Sequence, residues 1–206
     1  MTADAQRLAR VIRGDRLEAA VYLELACGLR RSEVLGLEWT AVKDLDSPNP
    51  RRRPRIEVLQ TRQHVKGVGI VLQEPKTRKS RRTLFLPPFL VGLLLERRED
   101  HAATSHGFIF TNDDGSPIAP STFTRHVKAL LIRAGLPADM RGHDLRHSFA
   151  SIAQAEGLPA AGAMAALGHS NISTTSGIYT HASDPMRQVA ADIFDAYHSR
   201  ITQNGA

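Results

Sequence analysis

Apolar positions recur at helical spacing through the first quarter of the chain. They predict a helix over Ala3–Arg13 and a second over Asp15–Cys27, whose stripe runs through Leu17, Ala20, Val21 and Leu25 and stops at Gly28. Ser32 reads as the N-cap of a short helix, Glu33–Leu37. Between Arg55 and Leu86 the period changes. Ile56–Leu59, Val68–Leu72 and Thr83–Leu86 are strand-like runs, separated by Lys66-Gly67 and by Lys76-Thr-Arg-Lys-Ser80, and predict one small antiparallel sheet. Helical periodicity resumes over Phe89–Arg98. Phe108–Phe110 is a short apolar run, and Asn112–Pro117 has strong turn chemistry. Pro120 opens a helix that reaches Ala134 before Gly135. The last third predicts helices over Asp144–Glu156, Pro159–Leu167, Ser173–Tyr179 and Pro185–His198, the last with Val189, Ile193, Phe194 and Tyr197 on one side. With no internal repeat and no dividing linker, the expectation is an α+β fold: a mostly α-helical single domain over residues 1–206 with a small antiparallel β-sheet insert.

Composition narrows the class. In a chain of 206 residues, 42% hydrophobic and 23% charged, a folded core burying roughly 70% of the unfolded surface is expected. The single cysteine, Cys27, cannot form an internal disulfide, which fits a reducing, cytoplasmic address. Met1–Arg16 lacks the apolar run of a signal peptide, and no stretch approaches a membrane span. The net charge of +6 is modest, but its distribution is not. Between Arg51 and Arg82 stand 11 Lys and Arg against Glu57 and Glu74, while the rest of the chain carries 16 basic and 19 acidic residues. Basic charge gathered in one segment suits a polyanion, because a phosphate backbone releases counterions when Lys and Arg bind it. A solvated basic loop is the plainer reading of that run taken alone.

Three polar clusters sit where core-building would not ask for them. Gly28-Leu-Arg-Arg-Ser-Glu33 puts Arg30 just before a helix start. Gly142-His-Asp-Leu-Arg-His147 puts His143 and Arg146 three apart, on one helical face. Leu167-Gly-His-Ser-Asn-Ile-Ser-Thr-Thr175 carries His169, and Tyr179 follows ten residues later. A guanidinium binds phosphate oxygens through a planar fork, and an imidazole beside it can donate or shuttle a proton.

Taken in order, these clusters and the basic hairpin resemble the tyrosine recombinase (phage integrase) family. The signature there is an early Arg, a hairpin Lys, His-x-x-Arg, Leu-Gly-His and a Tyr. Gly-Leu-Arg30-Arg-Ser-Glu33 matches the first motif. Pro75-Lys76-Thr-Arg-Lys-Ser80 with Arg82-Thr-Leu matches the hairpin, His143-Asp-Leu-Arg146 the third, and Leu167-Gly-His169 with Tyr179 the close. The likeness runs from about residue 15 to 198, the span of a catalytic domain. The family's N-terminal core-binding domain is expected to be absent, since only one short helix precedes the span of the likeness.

The resemblance implies a site-specific recombinase or integrase that cleaves and rejoins double-stranded DNA through a 3′-phosphotyrosine. Tyr179 would be the nucleophile, and Arg30 and Arg146 would neutralise charge on the non-bridging oxygens. Lys76 would protonate the leaving 5′-oxygen, with Lys79 its rival, and His143 and His169 would handle the nucleophile's proton or hold phosphate oxygens. Glu33 is expected to orient Arg30 or a neighbouring basic group. Arg31, Arg78, Lys79, Arg81 and Arg82 are expected to contact phosphates without reading sequence, and His147 and His181 to support packing or DNA contact. No metal, cofactor or ATP is expected. The expected assembly is a homotetramer on paired DNA sites, with helix 185–198 docking on a neighbouring protomer and room for an accessory directionality protein. Three readings compete: a type IB topoisomerase, a non-catalytic DNA-binding protein on the same scaffold, and a zinc site of His143, His147 and His169, which would give Arg30, Arg146 and Tyr179 no role.

Overall fold

The computed structural model describes residues 2–49, 51–65, 69–73, 82–101, 107–137, 139–140, 142–159, 162–163, 167 and 184–203. Helices α1 (Thr2–Ile12), α2 (Glu18–Ala26) and α3 (Arg31–Leu35) come first. Strands β1 (Val42–Lys43), β2 (Arg55–Val58), β3 (Thr61–Val65), β4 (Gly69–Gln73) and β5 (Arg82–Phe85) follow. Helices α4 (Pro88–His101), α5 (Pro120–Arg133), α6 (Gly142–Ala155) and α7 (Asp184–Gln203) complete the described elements. The α+β expectation holds.

Helix α2 is the centre of the molecule. Every residue from Ala19 to Ala26 is buried, because α3, α4 and α6 pack around it. A helix apolar on nearly all sides is stable only when enclosed in this way. It ends where Gly28 takes φ +62° in left-handed backbone, with the Leu29 N–H reaching back to the Leu23 carbonyl (3.1 Å). Glycine is required there twice over: the conformation is left-handed, and a Cβ would lie 2.6 Å from Leu167 Cδ2.

The strands differ from the single sheet expected. β1, β2 and β5 form one antiparallel sheet in the order β1-β2-β5, with Ile56 opposite both Val42 and Leu84. β4 pairs instead with β3 in a separate two-stranded ladder, Thr61 opposite Gln73 and Val65 opposite Gly69. Thr61-Arg-Gln-His-Val65 is too polar to show strand alternation, so the partner of the Val68–Leu72 run is hidden in the sequence.

Helix α7 packs on α1, α4, α6 and β5. Phe194 stacks on Phe149 with ring centroids 4.9 Å apart, and His198 stacks on Phe89 at 3.8 Å. Its buried stripe is Ala190, Phe194, Tyr197 and Ile201, a 4-3-4 spacing along one helical face. Val189 lies off that stripe and is 48% exposed, contrary to the face expected of it. Of the helix expected over Pro159–Leu167 only 159, 162–163 and 167 are described; Pro159 is not helical and the other three are, and the helix expected over Ser173–Tyr179 lies outside the described residues. No helix among the described residues is long and apolar enough to cross a membrane.

Candidate active site

The site is built around the turn between α2 and α3. Helix α3 begins at Arg31 with Arg30 at its N-cap, so Ser32 lies inside the helix and does not cap it. Glu33 does that work: its Oε2 accepts the Arg30 backbone N–H at 2.7 Å, which starts the helix two residues earlier than a Ser32 cap would.

The same carboxylate organises two arginines. Glu33 Oε1 accepts from Arg30 Nη1 at 2.9 Å, and Arg82, at the start of β5, donates its fork to both oxygens, Nη1 to Oε1 at 2.9 Å and Nη2 to Oε2 at 2.8 Å. Glu33 and Arg82 are both buried, whereas the Arg30 side chain is 38% exposed. Burial alone would raise the Glu33 pKa. Hydrogen bonds and charge from Arg82, then from Arg30, reverse that and hold the carboxyl at about 2. The orienting role expected of Glu33 has a geometric basis. Arg82, expected on the DNA-contacting surface, is instead an interior partner of Glu33, with its fork turned to a carboxylate.

Arg146 enters from α6. It is 2% exposed, and its Nη1 and Nη2 donate to the carbonyls of Gly28 and Leu167. Two carbonyls fix the plane of its guanidinium and leave other N–H donors of the fork for an acceptor. Burial lowers its pKa first, and repulsion from Arg30 and then Arg82 lowers it further, against attraction from Glu33 and Glu24, to about 9. Three guanidiniums thus share one neighbourhood with fewer negative charges than they need, an arrangement suited to an anion.

Arg30 and Arg146 open onto a cavity of about 530 Å³. Arg31, Lys128 and the carboxyl of Glu24 also line it, while Leu29, Phe123, Val127 and Met140 form its apolar wall. Arg31 Nη1 donates to Thr124 Oγ1 at 2.6 Å, tying α3 to α5. The structure therefore brings together Arg30, Arg31, Glu33, Arg82 and Arg146, drawn from stretches up to 116 residues apart (30 to 146). His147 is exposed on α6. Lys76, Arg78, Lys79, Arg81, His169, Tyr179 and His181, and the side chain of His143, lie outside the described residues. Sequence reading passed over Glu24, Thr124 and Lys128. Glu24 did leave a signal, a lone charge within the apolar run Ala19–Ala26.

The model of the phage integrase family matches residues 4–186, which contain every side chain of the arginine cluster. The chain belongs to the phage integrase family. Among relatives of this integrase-family chain, the tyrosine recombinase XerC-like protein of Caldanaerobacter subterraneus subsp. tengcongensis is 32% identical over 194 residues, covering 86% of this chain and 49% of that protein. An integrase of Streptomyces ambofaciens is 30% identical over 211 residues, covering 96% and 53%. The chain thus spans about half the length of the curated relatives it matches. In fold it is similar to the Tn1549 transposon integrase solved in complex with transposon right end DNA (TM-score 0.72, 22% identity, 92% of this chain and 63% of that one). It is also similar to the XerA recombinase (TM-score 0.64, 23% identity, 90% and 59%). Its fold is that of the tyrosine recombinase catalytic domain.

Proposed function

We propose that this chain carries the strand-cleaving and rejoining centre of a site-specific recombinase or integrase acting on double-stranded DNA in the cytoplasm. The observation that carries this reading is the pairing of Arg30 and Arg146 on one cavity, the first oriented by Glu33 and the second by two backbone carbonyls. A phosphodiester under attack gathers negative charge on its non-bridging oxygens, and two fixed guanidiniums stabilise that charge without reorganising.

In the proposed reaction the Tyr179 hydroxyl attacks the phosphorus, the bond to the 5′-oxygen breaks, and a 3′-phosphotyrosine forms. Tyr179 gives up its proton to the His143/His169 pair, and Lys76 gives one to the departing 5′-oxygen, so that charge and atoms balance. Attack by a second strand's 5′-hydroxyl reverses the step, and the covalent intermediate conserves the bond energy without ATP. Charge neutralisation is assigned to the arginines, and no metal ion is assigned a role. Arg31, Arg78, Lys79 and Arg81 are assigned to backbone phosphates. The proposed assembly is a homotetramer on paired sites, with α7 contributing to the contact between protomers and an accessory protein setting direction.

The test is incubation with a nicked suicide duplex carrying the attachment site. A protein–DNA adduct should form, persist in EDTA and vanish in Tyr179→Phe. An adduct that survives Tyr179→Phe would overturn the assignment of the nucleophile, and one that needs a divalent ion would overturn the charge assignment.

A further inference from the structure

Glu24 has no part in the chemistry above, yet it occupies the same cavity. Its side chain is 2% exposed in the fully buried helix α2, it lines the cavity with Arg31 and Arg146, and its Oε2 accepts no hydrogen bond among the described residues. A buried carboxyl without a full set of partners is costly, and it becomes less so when neutral. The charged groups around it come from each helix that packs on α2 or closes the cavity: Arg30 and Arg31 on α3, Lys128 on α5 and Arg146 on α6. Helix α4 turns its buried Arg97 to the carbonyls of Ile109 and Arg16, and Glu33 on α3 is taken up by Arg82 and Arg30.

We propose that Glu24 is a proton-linked positioning residue of the phosphate grip: neutral while Arg31 and Arg146 each hold phosphate oxygens of the DNA and, once ionised, a competitor for the same two guanidiniums. This rests on the reading of the cavity arginines as phosphate ligands. Burial raises the pKa of Glu24 to about 8, against the pull of Arg31 and then Arg146. A phosphate drawn to those arginines adds negative charge beside the carboxyl and favours its protonated form further. By linkage, DNA binding then takes up a proton wherever the unliganded Glu24 is ionised, and affinity falls as pH rises above that point.

The experiment measures binding of a short fluorescein-labelled duplex of arbitrary sequence by anisotropy, from about pH 7 to about pH 9.5, for the wild-type chain and Glu24→Gln. One linked proton lowers wild-type affinity by up to about tenfold per pH unit above about pH 8. Glu24→Gln, fixed in the neutral form, should bind as tightly at pH 7 and lose markedly less on the alkaline side. Ionised Glu24 also supports the charge of Arg146, so the loss assigned to Glu24 is the part of the wild-type decline with its midpoint near pH 8, below the about 9 of Arg146. Superimposable profiles would overturn the inference. Because Glu24→Gln can fail to fold, proton uptake by the wild-type chain near pH 8.5 is measured as well, by titration calorimetry in two buffers of different ionisation enthalpy. Uptake that rises with a midpoint near pH 8 supports the inference; zero uptake, or uptake that rises only near pH 9 where Arg146 titrates, overturns it. A wild-type chain that binds no duplex at pH 7 would overturn the functional reading on which it stands.

Discussion

Glu33 accepts four hydrogen bonds from two arginines while almost fully buried, and the consequences of removing a member follow from what it leaves behind. Arg82→Ala strands a carboxylate in the interior with one remaining cationic partner, and should cost about 3–5 kcal/mol in a urea unfolding curve. Arg82→Lys keeps the charge but loses the fork; it should recover part of the stability and little of the adduct yield, since Glu33 would no longer hold Arg30 in one orientation. Acidity adds a second reading of the same centre. The Glu33 pKa lies below its unfolded value, so its contribution is complete above about pH 5 and is lost as pH falls toward 2. Glu24 runs the other way. Its folded pKa is raised, so the native state holds the extra proton and stability declines from about pH 4.5 to about pH 8, on the order of 1 kcal/mol per pH unit. Glu24→Gln should flatten that decline, measured as the urea midpoint across the window. The arginines and Glu33 were legible because each stands in a short motif with distinctive spacing. The destination of Arg82 was not, since 49 residues separate it from Glu33 and no local pattern records that a basic residue next to a basic loop turns inward.

At the level of elements, periodicity found the long helices within a residue or two at most ends and failed where the signal is not periodic. The start of α3 depends on one carboxylate reaching back to Arg30, which outcompetes the serine hydroxyl that the sequence offered. The β3–β4 ladder depends on backbone pairing of a polar segment, which hydrophobic alternation cannot register. The turn between α2 and α3 is the tightest of these joints. Gly28→Ala would place a methyl in left-handed backbone and against Leu167 and Phe149, a cost of about 2–4 kcal/mol by thermal or urea unfolding. The same change displaces the Gly28 carbonyl that orients Arg146, so a stabilising background mutation should restore folding but not adduct formation.

Across the whole molecule, α7 closes the core that α2 centres. Phe194 is 2% exposed against Phe149, and Phe194→Ala should cost about 3–5 kcal/mol of unfolding free energy. If α7 also contributes to protomer contacts, Val189→Asp, on its exposed side, should weaken assembly on DNA in a gel-shift titration without moving the unfolding midpoint. The arginine centre is dispersed along the chain in a manner unlike the core. Arg30, Glu33 and Arg82 precede α4, whereas Arg146 and Leu167 follow α5. A backbone scission between α4 and α5 would therefore sort the cluster into two pieces, one bearing the carboxylate with its two bases and the Gly28 carbonyl, the other the Arg146 guanidinium with only the Leu167 carbonyl. On the proposed function, such a pair, each half fused to a dimerising tag, would form the DNA adduct only after their reunion.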